Sequence, residues 1–411
     1  MRRIHDRVAG LDVHRDSVTA CVQVYAGRRD PEIDKFRFST TAAGVRELAD
    51  WLAEREVTLV VMEATGVYWK PVFYVLEDLF DQVWLVNAGH VKNVPGRKTD
   101  LSDAEWLADV AAHGMVRPSL VPPPPIRALR ELTRYRKTQI TARGVEIQRL
   151  EKLLQDAGIK LSSVASKVWS RSARAMVEAL IAGERSPATL ADLAKGKMRD
   201  KIPALVEALD GRWQPHHSAV ARHILAHIDF LDAAIASLGE EITERLRPYE
   251  AAVTVWCTIP GVSQTTAEVI VAETGADMSR FPTAGHLASW AGVAPANHES
   301  AGKRRPAGTR QGARWLRATL IEAAKAAART KDTYLAARYR HITRRRGPNK
   351  ATVAVAHSII VAVWHMLNTG QTYQDLGPGF IERRNDPERE AQRHARRLAE
   401  LGYRVNLQPV A

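Results

Sequence analysis

Cysteine is nearly absent from this sequence. Only Cys21 and Cys257 occur in 411 residues, far apart and without a CxxC spacing. This scarcity excludes a disulfide framework and a zinc site built from cysteine pairs. A chain without such cross-links fits a reducing compartment, so we expect a cytoplasmic protein.

Long apolar runs are also lacking. The N-terminus carries charges, but no apolar run follows them, so no signal peptide is predicted. The most apolar window, Ala351 to Leu367, is shorter than a bilayer span and contains two histidines. We interpret this window as a buried helix and expect no membrane partner.

Negative charge is in short supply. Acids number 46 against 59 lysines and arginines, which gives a net charge of +13. This excess favours a polyanionic partner, most simply nucleic acid. Apolar residues make up 45% of the chain, so we expect a globular protein of two or three domains.

The N-terminal part predicts a mixed α/β domain. Val8 to His14 and Ser17 to Tyr25 are apolar runs joined by a polar turn, which indicates a hairpin. A third strand, a helix at Ala42 to Glu54 and a buried strand ending in Glu63 follow. Another helix and a short strand precede a helix at Thr99 to Gly114. This order is the one expected for a ribonuclease-H-like fold.

The rest of the chain predicts helices. The proline run Val121 to Pro125 indicates an extended spacer and a domain boundary. Two long helices follow, Ile126 to Ile159, which is strongly basic at first, and Ser218 to Leu246. Their apolar spacing fits either a coiled coil or an ordinary helical hairpin. We therefore predict an α/β plus all-α chain with regions 1–120, 121–248 and 249–376 and a charged tail, 377–411.

Four acids lie at the ends of predicted elements. Asp12 is in the first strand, Glu63 ends a later strand, and Asp100 and Asp103 begin a helix. Acids at the ends of neighbouring elements can converge, and residues three apart share a helix face. Carboxylates suit Mg²⁺, and a pair of such ions can activate a nucleophile and stabilise a leaving oxygen. The alternative is that the helix-start acids are ordinary caps favoured by the helix dipole.

A loop rich in Gly, Ser and Arg spans Pro295 to Gln311. Its cations could bind phosphates, and its glycines let the backbone approach a phosphate closely. The alternative is a solvated basic loop, and the same two interpretations apply to the basic run Arg338 to Lys350. The residues assigned to nucleic-acid binding are Lys303, Arg304, Arg305, Arg310, Arg314 and Arg317.

Several segments together resemble the DEDD-type insertion-sequence transposases. These are the bridge-RNA-guided recombinases, related to the Piv-type DNA invertases. The resemblance covers most of residues 7 to 375, and its motifs are specific in combination rather than singly. The matching segments are Gly-Leu-Asp12-Val-His, Glu63-Ala-Thr-Gly-Val-Tyr-Trp, Lys98-Thr-Asp100-Leu-Ser-Asp103-Ala, Ile259-Pro-Gly-Val, Phe281 to Gly292 and Glu299 to Arg317.

The resemblance implies a function for particular residues. It implies a RuvC-like N-terminal domain whose four acids match Asp12, Glu63, Asp100 and Asp103 and hold Mg²⁺. It also implies that Ser300 is a nucleophile. The family pattern around that serine is Gln-Ser-Gly, whereas this chain has Glu299 and Ala301. The difference leaves the serine intact and alters the loop around it.

The resemblance further implies a reaction and its partners. A structured non-coding RNA would pair with donor and target DNA, and strands would be cleaved and rejoined through a covalent phosphoserine. A homo-oligomer, a dimer or tetramer, is expected. Because a serine hydroxyl is a weak nucleophile and the sequence shows no His–Asp pair at triad spacing, we expect Mg²⁺ to supply the activation.

Two rival hypotheses come from other classes of protein. One is a RuvC-like, metal-dependent DNA endonuclease that uses activated water, in which case Ser300→Ala keeps strand cleavage. The other is a non-catalytic nucleic-acid-binding protein, in which case Asp12→Asn keeps all activity.

Overall fold

The chain divides at the proline run into two units, Met1–Val121 and Pro122–Ala411, in this computed structural model. Each unit is described by itself. The structure describes residues 3–27, 30–64, 66–87, 89, 91, 103–165, 169–296, 299–300, 302–304, 308–309, 311–383 and 387–407.

The first unit is built on a five-stranded mixed sheet in the order β3-β2-β1-β4-β5. Strands β1 to β3 form an antiparallel meander, while β4 runs parallel to β1 and β5 runs parallel to β4. This sheet agrees with the α/β prediction and is consistent with a RuvC-like domain. Its strands are β1 Arg7–Val13, β2 Ser17–Val24, β3 Glu32–Ser39, β4 Leu59–Glu63 and β5 Val83–Val86, and the described helices are α1 Ala42–Glu54, α2 Trp69–Leu76 and α3 Asp103–Ala112.

The two faces of the sheet carry different helices. Because side chains alternate along a strand, Ala9, Leu11 and Val13 enter the core that contains α1 and α2. Val8 enters the opposite core, with the apolar side chains of α3. Even-numbered residues of β1 therefore face α3, and this parity decides where Asp12 points.

The second unit is mostly helical, with one short hairpin. Its described helices are α4 Pro124–Asp156, α5 Leu161–Val164, α6 Arg171–Ala182, α7 Pro187–Asp192, α8 Ile202–Leu209, α9 Pro215–Leu246, α10 Glu250–Trp256, α11 Gln264–Thr274, α12 Ala284–Trp290, α13 Arg314–Arg329, α14 Tyr334–Arg346, α15 Pro348–Thr369, α16 Phe380–Arg383 and α17 Pro387–Glu400; the hairpin strands are β6 Glu299–Ser300 and β7 Lys303–Arg304.

The long helices α4 and α9 lie antiparallel. Asp232 bonds to Arg143 at 2.5 Å, and nearer the other end His217 bonds to Asp156 at 3.1 Å. The predicted coiled coil is not confirmed. Along the predicted seam Ile228 is buried, but Ile235 is only half-buried.

The proline run differs from its prediction. It was expected to be an extended spacer throughout, but α4 begins inside it, at Pro124. Pro123 is extended, with ψ 160°, and serves as the N-cap. Proline is tolerated in the first helical turn because the N–H groups there have no partner within the helix.

Among the described residues, α15 is long and apolar enough to cross a membrane by length and composition alone. Its Val355, Ile359 and Val363 are fully buried in the second unit. The helix packs against α13 and α14. This packing is that of the core helix predicted from the sequence.

Candidate metal site and serine hairpin

Asp12 and Glu63 are neighbours near the carboxyl ends of the adjacent strands β1 and β4. The parallel register pairs Leu11 with Met62, so the next residue on each strand is one of these two acids. Neighbouring strands lie ~4.8 Å apart, and the two acids share the parity that faces α3. The Asp12 side chain is 31% exposed, which leaves its carboxylate accessible at the edge.

A glycine brings α3 onto the same strand. A Cβ on Gly10 would lie 2.0 Å from the carbonyl oxygen of Ala104 and 2.6 Å from the nitrogen of Ala108. No other residue fits there without moving the helix. Asp103 directly precedes Ala104 and is exposed at the start of α3, so this acid belongs to the helix that covers the Asp12 side of the sheet.

The donor set is carboxylate oxygen, which is the type that Mg²⁺ prefers. Asp100 lies outside the described residues. Asp12, Glu63 and Asp103 are not among the described side chains whose ligand atoms all lie within 4.8 Å of one another. The residue types and their shared face fit a divalent cation.

His14 is a partner of Asp12 that the sequence analysis did not single out. Its Nε2 lies 3.1 Å from Oδ2 of Asp12. The signal was present in the sequence, because residues two apart on a strand point to the same face. This histidine orients the Asp12 carboxylate.

A buried cysteine lies on β2, opposite the glycine that α3 approaches. Cys21 pairs with Gly10 across β1 and β2. Burial raises the pKa of its thiol to about 11, so the thiol is protonated at neutral pH. Without a metal it therefore supplies no thiolate nucleophile.

Ser300 lies in a tight hairpin. It pairs with Lys303, and Glu299 pairs with Arg304, across β6 and β7. Gly302 in the turn has φ 73°, a left-handed conformation that glycine adopts without strain. The side chain of Ser300 lies outside the described part of the structure. The backbone places this serine beside the tip.

The base of this hairpin is held against the helical unit. Ala296 N donates to the Gly308 carbonyl at 2.9 Å. A Cβ on Gly312 would lie 2.4 Å from the nitrogen of Gly292 and 2.5 Å from the Trp290 oxygen. The chain that follows the hairpin therefore passes very close to the end of α12, and only glycine permits that approach.

The predicted nucleic-acid residues are partly placed. Lys303 and Arg314 are exposed, and Arg317 is half-buried. The last two occupy the first turn of α13, where the helix dipole disfavours cations, so helix stability does not explain them. Arg305 and Arg310, and the side chain of Arg304, lie outside the described residues.

The structure also brings together Asp156, His216 and His217, whose ligand atoms lie within 4.8 Å of one another. His217 Nδ1 accepts the Gln214 N–H at 3.0 Å, so the ring proton is on Nε2 and faces Asp156 at 3.1 Å. A metal bound to Nε2 would require the ring proton to be on Nδ1. There it would face the Gln214 N–H, and two donors cannot hydrogen-bond to each other. We therefore interpret this group as the cap of α9.

Two family models match this chain. One describes a DEDD-type IS110 transposase under the name "Transposase" and matches residues 9–159. The other, "Transposase IS116/IS110/IS902 family", matches residues 254–340. Together they cover more than half of the chain.

Relatives from three bacteria are also similar. A "Probable family 20 transposase" of Pseudomonas aeruginosa is 25% identical over 80% of this chain and 89% of its own length. The "Transposase for insertion sequence element IS1111A" of Coxiella burnetii is 26% identical over 90% of this chain and 91% of its own length. An IS110 element protein of Streptomyces coelicolor is 30% identical over 37% of this chain and 41% of its own length.

The fold and these matches define an insertion-sequence transposase, a DNA-binding and DNA-modifying enzyme. The chain belongs to the IS116/IS110/IS902 family and is of its DEDD type. A DEDD-type, nuclease-like domain indicates dependence on a divalent metal.

Proposed function

We propose that this transposase cleaves and rejoins DNA strands through a covalent phosphoserine on Ser300. Metal binding is assigned to Asp12, Glu63, Asp100 and Asp103, with Mg²⁺ as the ion. Cleavage and rejoining are RNA-guided, and the active form is a homo-oligomer, a dimer or tetramer.

The observation that carries the metal assignment is the register of β1 and β4. It supports a pair of acids, Asp12 and Glu63, on adjacent strands. Gly10 lets α3 pack closely enough for Asp103 to belong to the same side of the sheet. Bound there, a divalent cation would stabilise charge on the oxygens of the reacting phosphate.

The chemistry of the serine step is a transesterification. The Ser300 oxygen attacks a backbone phosphorus, forming a serine phosphodiester while one phosphorus–oxygen bond of the DNA breaks. The serine proton leaves to solvent or a base, and the departing DNA oxygen takes up a proton. Attack on the phosphoserine by a hydroxyl of another strand rejoins DNA and restores the serine, so no external energy source is required.

The cations near the hairpin have a role in this scheme. Lys303 pairs with Ser300 in the hairpin, so a phosphate approached by the serine would also be near a cation. Arg314 and Arg317 add positive charge at the start of α13. Contacts of this kind position the backbone and neutralise its charge.

The guide RNA and the oligomer rest on the family resemblance. The net charge of +13 is compatible with both nucleic acids. A search beside the coding region for a non-coding segment that pairs with both element ends tests the RNA assignment.

The experiment is a trapping assay. The protein is incubated with Mg²⁺, the flanking non-coding RNA and labelled donor and target DNA, and products are separated on a denaturing gel. We expect a protein–DNA adduct that is absent with Ser300→Ala and lost with Asp12→Asn. Cleavage that persists unchanged in Ser300→Ala would instead establish the water-activating endonuclease.

A second variant tests the arrangement without touching an acid. Gly10→Ala forces a Cβ to within 2.0 Å of the Ala104 oxygen, so α3 must move away from β1. We expect loss of the adduct together with loss of stability in the first unit. Gly144→Ala is the matched control, because an added Cβ there meets nothing within 4 Å.

A further inference from the structure

The positive charge of this chain is concentrated in one segment. Residues 300–374 contain fifteen lysines and arginines and only two acids. This excess of positive charge equals the net charge of +13 of the whole chain. The remaining residues therefore contain equal numbers of basic and acidic side chains. One of the two acids, Glu322, is already paired with Lys137 of α4, with 2.8 Å between Nζ and Oε1.

A large part of the excess lies at the corner between α14 and α15. Gly347, with φ 83°, ends α14, and Pro348 begins α15 directly. Five exposed cations surround this corner, and we call them the α14 patch. Its members are Arg340, Arg344, Arg345, Arg346 and Lys350.

The patch has no acidic counterpart. The sequence contains no Asp or Glu from Tyr334 to Gln374. Within the described part of the chain, none of the five side chains has a hydrogen-bond or ion-pair partner. The charge is therefore open to solvent and to a ligand.

Helix stability explains only some of these residues. Three arginines in the last turn of α14 interact favourably with its dipole. Arg340 and Arg344, however, are like charges four residues apart, an arrangement that destabilises a helix. Lys350 is in the first turn of α15, where the dipole disfavours a cation. Positive charge that works against its own helices indicates a polyanionic partner.

We propose that the α14 patch binds the phosphate backbone of duplex DNA, as a second contact surface besides the serine hairpin. The proposal deepens the proposed function and rests on the protein acting on DNA. It assigns the patch to positioning the duplex rather than to chemistry.

The lack of exposed rings in the patch favours a duplex over a single strand, and the choice of DNA rests on the transposase family. Proteins bind single strands and RNA loops largely by stacking bases on aromatic side chains. Tyr334 and Tyr339 of α14 are half-buried, and Tyr334 packs edge-on against Phe380 with ring centroids 5.5 Å apart. Guanidinium groups without such rings suit backbone contacts, which carry no sequence preference.

The test is the salt dependence of DNA binding by the full chain. The variant Arg344→Gln/Arg345→Gln/Arg346→Gln is titrated with a labelled duplex of arbitrary sequence at several salt concentrations. The slope of log K against log salt is negative, and each lost phosphate contact makes it less steep by about 0.9. We therefore expect the slope of the patch variant to be less negative than that of the wild type by about 2 to 3. The affinity at low salt should fall about tenfold or more.

Two matched variants control for folding and for net charge. Lys195→Gln/Lys197→Gln/Arg199→Gln removes the same charge from other exposed positions of the second unit, and its slope should equal that of the wild type. The triple Arg→Lys variant of the patch keeps the charge. It should restore the slope, because lysine binds phosphate as a point charge.

Three results would overturn the proposal. These are an unchanged slope in the patch variant, an equal change in the control variant, or a loss confined to RNA while duplex DNA binding stays the same. Ser300→Ala separates this proposal from the phosphoserine chemistry. Cleavage retained in that variant would refute the chemistry and leave the slope result standing.

Discussion

Two arginine-rich stretches look alike in the sequence and differ in the structure. One spans residues 127–143 in α4, and the other spans residues 338–350 at the corner of α14 and α15. Both have helical spacing and a high density of cations. The first is bound to acids of its own unit, whereas the α14 patch has no partner among the described residues.

The cations of α4 reach the buried acids of α11. Arg136 Nη2 lies 2.6 Å from Oε2 of Glu268, and the two side chains are only 9% and 5% exposed. Arg134 bonds to both carboxylate oxygens of Glu273, at 2.7 and 2.8 Å. Such bidentate pairs are among the stronger ionic contacts in proteins. This basic stretch therefore joins α4 to α11, most of whose residues are buried.

The difference shows that positive charge alone does not identify a nucleic-acid surface. The acids that pair with this stretch of α4 lie 89 to 185 residues further along the chain, as the Arg143–Asp232 and Lys137–Glu322 bonds show. No acid occurs in the segment around the α14 patch. The two stretches differ in whether folding places a carboxylate beside the cations. Four experiments test this difference, ordered from the largest expected effect to the smallest.

Removing one partner of the buried pair should have the largest effect. Arg136→Met leaves the Glu268 carboxylate buried without its cation, which costs about 3–5 kcal/mol of stability. Urea unfolding of the helical unit measures the loss. The double variant Arg136→Met/Glu268→Leu is the control and should recover most of the stability, because an apolar pair can replace a buried ion pair. A single variant as stable as the wild type would show that this pair is not structural.

The second prediction concerns the pH dependence of stability in the acid-poor region. Burial, together with the positive charge of Arg338, lowers the pKa of His357 in α15. The folded pKa is below the unfolded value near 6.5, so protonation favours the unfolded chain. The contribution of neutral His357 to stability is therefore fully present above that pH and is lost as the pH falls below it. Urea midpoints compared on the two sides of that pH should show the decrease. His357→Gln should reduce it, whereas His365→Gln, at an exposed position of the same helix, should not.

An exposed ion pair should contribute less. Arg174 of α6 donates to Asp229 of α9, with 2.8 Å between Nη2 and Oδ2, and this hydrogen bond lowers the pKa of the acid. The pair's contribution is therefore present above about pH 4 and lost as the pH falls through the folded pKa. Asp229→Asn should cost about 0.2–1 kcal/mol at neutral pH and nothing in strong acid. Asp192→Asn, which removes an exposed acid with no ion-pair partner among the described residues, should show neither effect.

Much of the fold follows from the sequence. Helix α1 begins and ends where the apolar spacing predicts, at Ala42 and Glu54. Local pattern is sufficient there because one face of the helix is apolar and the element is flanked by polar residues. The hairpin of β1 and β2 is also confirmed, since strand alternation and a short polar turn are local properties.

The candidate site was only partly predictable, for physical reasons. Parity along β1 puts Asp12 and His14 on one face, but nothing local says that α3 packs there. That packing depends on the close approach at Gly10, which is a tertiary contact. The ion pair of Arg136 is likewise a long-range contact, because its partner, Glu268, comes from a distant helix. A single sequence gives the spacing of residues along a chain but not which elements meet.

The smallest effect on stability is expected for the α14 patch, to which DNA binding is assigned. Arg344→Gln/Arg345→Gln/Arg346→Gln should change the free energy of unfolding by no more than about 1 kcal/mol, because the lost dipole interaction is offset by relief of mutual repulsion. The urea midpoint of this variant, measured beside that of Arg136→Met, gives the comparison directly. A loss as large as in Arg136→Met would show that the α14 patch also stabilises the fold, and the contrast between the two stretches would disappear. A stable variant with weakened DNA binding would show that the same residue type, at similar spacing, holds the fold together in α4 and contacts a ligand in α14.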